Sequence, residues 1–164
     1  MSSSRGIRAG AVIGTVGGSL RAAGSFAPRL IASDDARTWL YVTIDICLAV
    51  GVLSLYLPRR HRLHPAGTIG SFLALGGLIA GRIGPVVTDL DLYPVTATAV
   101  VVGILMLASS EWQMRRMAAW IPVTFALSLA IGSIGTFVAG AGTLIILSGI
   151  LFGIAFAAMA IGAY

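Results

Sequence analysis

Two side chains in this sequence stand where charge is costly. Asp45 lies inside the mostly apolar run 38–57, and Arg21 lies inside the earlier run that begins after Arg8. A charged group at bilayer depth costs at least about 2.5–3.5 kcal/mol on insertion scales, so each needs a partner or a task. Arg21 is 13 residues beyond Arg8, about 20 Å along a helix axis. Asp45 is six residues beyond Trp39, about 9 Å. If the two runs are antiparallel neighbours in a hydrocarbon core about 30 Å thick, both charges lie about 10 Å below the same edge, and an Arg21–Asp45 ion pair is expected. One consequence would be purely structural, since each charge relieves the other's desolvation and fixes the register of two helices. The other would be functional: Asp45 becomes a protonatable or ion-coordinating group in a permeation path, with Tyr41 placing a hydroxyl one turn away.

The elements that must position these residues follow from composition. Of 164 residues, 57% are hydrophobic and 10% charged, far below the roughly 25% charge of a soluble domain, and the mean hydropathy is +0.96. This is the composition of an all-α membrane protein, read as a single polytopic domain over 1–164 with six transmembrane helices near 8–31, 38–57, 65–84, 95–110, 117–137 and 143–163. The basic start and apolar run of the first segment also match a secretory signal peptide. It is read as a first span interrupted by Arg21, with Pro28 near its end.

The net charge of +5 comes from eleven arginines and six acids. An N-terminus in the cytoplasm puts seven arginines inside (Arg5, Arg8, Arg59, Arg60, Arg62, Arg115, Arg116) and leaves three, Arg29, Arg37 and Arg82, outside. That asymmetry places both termini in the cytoplasm of a multi-pass cell (inner) membrane protein, and marks the basic charge as a topology signal without nucleic-acid binding. An offset of 52 residues, which carries Leu40-Tyr41 onto Leu92-Tyr93 and Gly51-Val52-Leu53 onto Gly103-Ile104-Leu105, suggests an internal repeat of two-helix units, spans two and three with four and five. Asp45 falls on Ala97 in that register, so the acid belongs to one copy.

Other clusters are weaker chemistry. Arg29, Arg37, Arg82, Asp89 and Asp91 form an outer charged set, which is either a vestibule for an ionic solute or a network of solvated pairs that contribute little. Arg59, Arg60, Arg62, Arg115 and Arg116 fit contacts to anionic lipid headgroups or a partner protein, or simply anchor the topology. His61 and His64 share a basic loop that repels a cation, so no metal site is expected there. Gly10, Gly14, Gly18, Gly77, Gly81, Gly149 and Gly153 recur as small-residue ridges suited to close helix packing, within one bundle or against another membrane protein.

Much is excluded by absence. Without lysine there is no Schiff-base chemistry. Cys47, the single cysteine, allows no internal disulfide or CxxC pair. No catalytic motif is present, and neither an enzyme nor a cofactor is expected. Two classes remain: a small transporter or channel for a proton, ion or small solute built on Asp45 and Arg21, or a non-catalytic accessory subunit packing by its glycine faces into a homo-oligomer or larger membrane complex.

Overall fold

A computed structural model describes residues 3–87, 93–138 and 142–162. Asp89 and Asp91 lie outside the described residues. The chain forms α1 (Ser3–Gly24), α2 (Ala27–Leu30), α3 (Asp34–Tyr56), α4 (Pro65–Val87), α5 (Tyr93–Gln113), α6 (Trp120–Phe137) and α7 (Gly142–Gly162), with no strand among the described residues. Five of these, α3 to α7, are long and apolar enough to cross a membrane. The first helix, which carries Arg5, Arg8 and Arg21, is not among them.

Local chemistry sets the boundaries. Ser33 caps α3 by accepting a hydrogen bond from the Ala36 amide at 3.3 Å, and Asp34 and Asp35 occupy the first turn, where the helix dipole favours anions. Arg21 does not interrupt α1. The helix continues to Gly24, and the chain breaks at Ser25 and Phe26 before the single turn of α2, where Pro28 sits at an early position that needs no amide donor.

Short connections make successive long helices antiparallel neighbours, and here the chain closes a ring. Around it run α1, α3, α4, α5, α6 and α7, and α7 returns to pack against α1. The contacts are uneven. The α4–α5, α1–α3, α1–α7 and α6–α7 interfaces are extensive, whereas α3–α4 and α5–α6 are thin. The two-helix units suggested by the 52-residue offset are therefore not the packing units, because each thin seam lies inside one of them. The start of α1 and the end of α7 lie at the end of the ring that carries the α3–α4 and α5–α6 loops.

The glycine ridges face inward within this ring. Gly10 and Gly14 meet Ser54 and Gly51 of α3, Gly18 meets Gly153 and Ala157 of α7, Gly149 meets Ser25, and Gly77 and Gly81 meet Thr96 of α5. Between α1 and α7 the backbones approach closely, and a Cβ on Gly18 would lie 2.6 Å from the Gly153 carbonyl oxygen and the Ala157 amide. Only hydrogen fits there, so dispersion acts at full strength between the two backbones. A second crossing of this kind, Gly70 on α4 against Gly103 on α5, lies outside the ridges recognised in the sequence.

The two halves of the ring differ. Toward the end with the chain termini, Val52 and Leu55 of α3, Ile104 and Leu107 of α5, Phe125 of α6 and Phe156 and Met159 of α7 are completely or almost completely buried. Phe125 meets Phe152 edge-on at 5.5 Å, and Phe152 stacks on Phe156 at 6.2 Å. The outer faces instead expose large apolar side chains on every helix, among them Val16, Ile46, Ile69, Phe72, Ile79, Val123, Ile134 and Ile154. So much exposed apolar surface is costly in water and favourable in lipid, as a multi-pass helical membrane protein requires.

Candidate functional site

The half of the ring nearer α2 is not filled. It encloses a cavity of about 390 Å³ to which all six long helices contribute. Arg21 reaches it from the last turn of α1, Tyr41, Asp45 and Leu48 from the middle of α3, and Gly77, Leu78, Gly81 and Arg82 from the second half of α4. Ala97, Val100 and Val101 of α5, Ser128 of α6 and Ser148, Gly149 and Phe152 of α7 complete the wall. The walls are held by cross-helix bonds. The Tyr41 hydroxyl donates to the Gly24 carbonyl at 3.2 Å, joining α3 to the end of α1. Ser128 and Ser148 form a reciprocal clasp in which each hydroxyl donates to the other's carbonyl, at 2.9 and 2.8 Å.

Asp45 is bonded to Arg82. Both Nε and Nη2 of the guanidinium lie 2.6 Å from Oδ2. The side chains are 27% and 39% exposed respectively, so the pair is only partly desolvated where it borders the cavity. The direct partner of Asp45 is thus Arg82 and not Arg21, which corrects the expected Arg21–Asp45 ion pair. Matching depths brought Arg21 to the right level. Rotation decides the contact: Arg21 enters from the α1 wall, while Arg82 extends across the thin α3–α4 seam onto the carboxylate. Arg21 stays in the same cavity without a carboxylate in salt-bridge range among the described residues.

A second cavity of about 340 Å³ adjoins the first. Arg21 and Tyr41 line both, and Ser25, Pro28 and Arg29 with Gly142, Ile145 and Ile146 line the second alone. Arg29, Arg21 and Arg82 consequently follow one another from the α2 end of the ring inward. Below the first cavity the phenylalanine cluster closes the bundle. The unfilled space thus lies in the α2 half of the ring, and the other half is packed.

The remaining expected clusters divide. Arg37 pairs locally with Asp34, Arg82 belongs to Asp45, and Arg29 lines the outer cavity, so these do not form one outer charged set. Among the basic loop residues, Arg59 is largely buried, with Nη1 at 3.3 Å from Oε2 of Glu111, which is itself 1% exposed. It therefore ties the α3–α4 loop to the end of α5. Arg60, Arg62, Arg115 and Arg116 remain exposed at that end. Arg60 bonds His61 at 3.0 Å, and His64 accepts from the Ala66 amide at the start of α4. Glu111 was missed in the sequence because it follows an apolar run and opens a polar stretch, the pattern of an ordinary loop acid. The available signal was its place, one residue before Trp112, at the same end as the RRHRLH loop. No group of three or more His, Cys, Asp or Glu side chains comes together among the described residues.

No protein-family model, curated protein or solved structure matches the chain.

Proposed function

We propose that this protein is a small carrier of the cell (inner) membrane that binds a polar solute in the six-helix cavity. In this reading α1 is a sixth crossing, both termini and the loops bearing Arg59–Arg62 and Arg115–Arg116 are cytoplasmic, and the α2 end faces outward, as the arginine distribution requires. The observation that carries it is the one-sided cavity containing Arg21, Asp45 and Arg82. Intramembrane ionisable groups that face a bundle interior mark solute or ion paths. The packed half beneath the cavity favours a carrier over a continuously open channel. The thin α3–α4 and α5–α6 seams allow the α4–α5 pair to rock against the other four helices. The cavity wall contributes neither histidine nor cysteine, and its one carboxylate is engaged by Arg82.

The test is solute uptake into proteoliposomes by wild type and by Asp45→Asn. Saturable uptake that Asp45→Asn abolishes while the variant remains folded supports the carrier. Uptake indistinguishable from protein-free vesicles for cations, anions and neutral solutes alike refutes it.

A second reading, an accessory subunit in a homo-oligomer or larger membrane complex, draws on the exposed cluster of Arg60, Arg62, Arg115 and Arg116, which suits an acidic partner surface or anionic lipid. The glycine ridges no longer speak for it, since they are occupied inside the ring. Native mass spectrometry after mild extraction separates the two, because a monomer without partners excludes the subunit.

A further inference from the structure

Charge within the cavity does not cancel. Among the described residues Asp45 is the one carboxylate on this wall and Arg82 is its contact partner, so with Arg21 the wall carries one more positive than negative side chain. An arginine held there with no carboxylate in contact among the described residues is costly, and an anion at the same place would offset that cost.

The geometry points to a small monocarboxylate as the solute of this cavity, its carboxylate on Arg21 and its apolar body against Leu48, Leu78, Val100 and Phe152. This rests on the carrier reading above and narrows it to one chemical class. Four features converge on that class. One excess positive charge is neutralised by one negative charge, whereas a dianion would leave a negative charge buried. The planar fork of a guanidinium matches the two oxygens of a carboxylate. The rest of the wall is largely aliphatic and aromatic, with the two serine hydroxyls already donating to each other's carbonyls, so it accepts a short hydrocarbon body in preference to a polyol. A cavity of about 390 Å³ lies at the small end of the range of about 300–1,000 Å³ that ligand sites span. The approach is consistent with the same class: Arg29 on the outer cavity, then Arg21 at the shared wall, present successive positive charges to an incoming anion.

Calorimetric titration of the purified protein in lipid nanodiscs would compare butyrate with butyramide, its neutral isostere, with butylamine and with succinate. Saturable butyrate binding at least about tenfold tighter than the other three is expected. Arg21→Gln should weaken it about 10- to 100-fold, the worth of a lost charge-assisted contact, and Arg21→Lys should retain part of it, as a point charge without the fork. Butyrate binding no tighter than butyramide, or unchanged in Arg21→Lys and Arg21→Gln, overturns the assignment. Arg21→Lys keeps the test valid if Arg21→Gln does not fold. Counterflow of labelled butyrate into proteoliposomes, at mildly alkaline pH and against protein-free vesicles, separates this inference from the carrier reading. Uptake of butylamine or butyramide without butyrate removes the monocarboxylate and leaves a carrier. Saturable butyrate binding without counterflow keeps the ligand and removes the carrier. Neither binding nor uptake of any of these compounds overturns the monocarboxylate outright.

Discussion

Asp45 of α3 takes both of its 2.6 Å contacts from Arg82 of α4, and this ion pair spans one of the two thin seams of the helix ring. Where few side chains interdigitate, one charge-assisted contact carries a larger share of the interface energy than it would between tightly packed helices.

Arg82→Gln should therefore destabilise the protein by about 1–3 kcal/mol, between the cost of breaking a fully buried pair and that of an exposed one. Arg21→Gln should cost less or even stabilise, because it removes a charge without an ion-pair partner. A double-mutant cycle on thermal unfolding in detergent measures this directly: strong coupling is expected between Asp45→Asn and Arg82→Gln, and weaker coupling between Asp45→Asn and Arg21→Gln, which share the cavity without contact.

At the opposite end, Arg59 and Glu111 form the more deeply buried tie. Arg59→Met should lower stability by about 3–5 kcal/mol by stranding a buried carboxylate, and the double variant Arg59→Met, Glu111→Met should recover much of it. Arg60→Met and Arg62→Met, at exposed positions, should stay within about 0.5 kcal/mol of wild type. Melting curves of the four variants in one detergent decide the matter.

Two adjacent glycines of α4 offer an internal control. A Cβ on Gly77 would lie 2.9 Å from the Thr96 carbonyl and from Val100, whereas a Cβ on Gly76 meets nothing within 4 Å. Gly77→Ala should cost about 1–3 kcal/mol through overpacking of the α4–α5 interface. Gly76→Ala should be neutral or stabilise by up to about 1 kcal/mol. Equal effects of the two on thermal unfolding would contradict the packing described.

The one-sided cavity predicts one-sided chemistry. In a Cys47→Ser background, Ala97→Cys on the cavity wall should react with a membrane-impermeant methanethiosulfonate added from outside the cell. Leu107→Cys, at a fully buried position in the packed half, should react from neither side. Labelling of Ala97→Cys only from the cytoplasmic side would invert the proposed orientation.

Much of this architecture is written in one-dimensional terms. Apolar run length, sparse charge and arginine asymmetry determine a multi-pass helical membrane protein, because each of these follows from the cost of moving a residue into hydrocarbon, which a residue incurs by itself. Small residues at four-residue spacing likewise mark close helix faces, although not which helix meets them. The identity of Asp45's partner was decided only by the tertiary structure. Depth along a helix can be counted from residue number, but rotation about its axis and choice of neighbour depend on how all six helices close into a ring. For that reason Arg21, correct in depth, gave way to Arg82 at the carboxylate, Glu111 became a buried tie to Arg59, and Gly18 of α1 turned out to face Gly153 of α7 while Gly10 and Gly14 face α3.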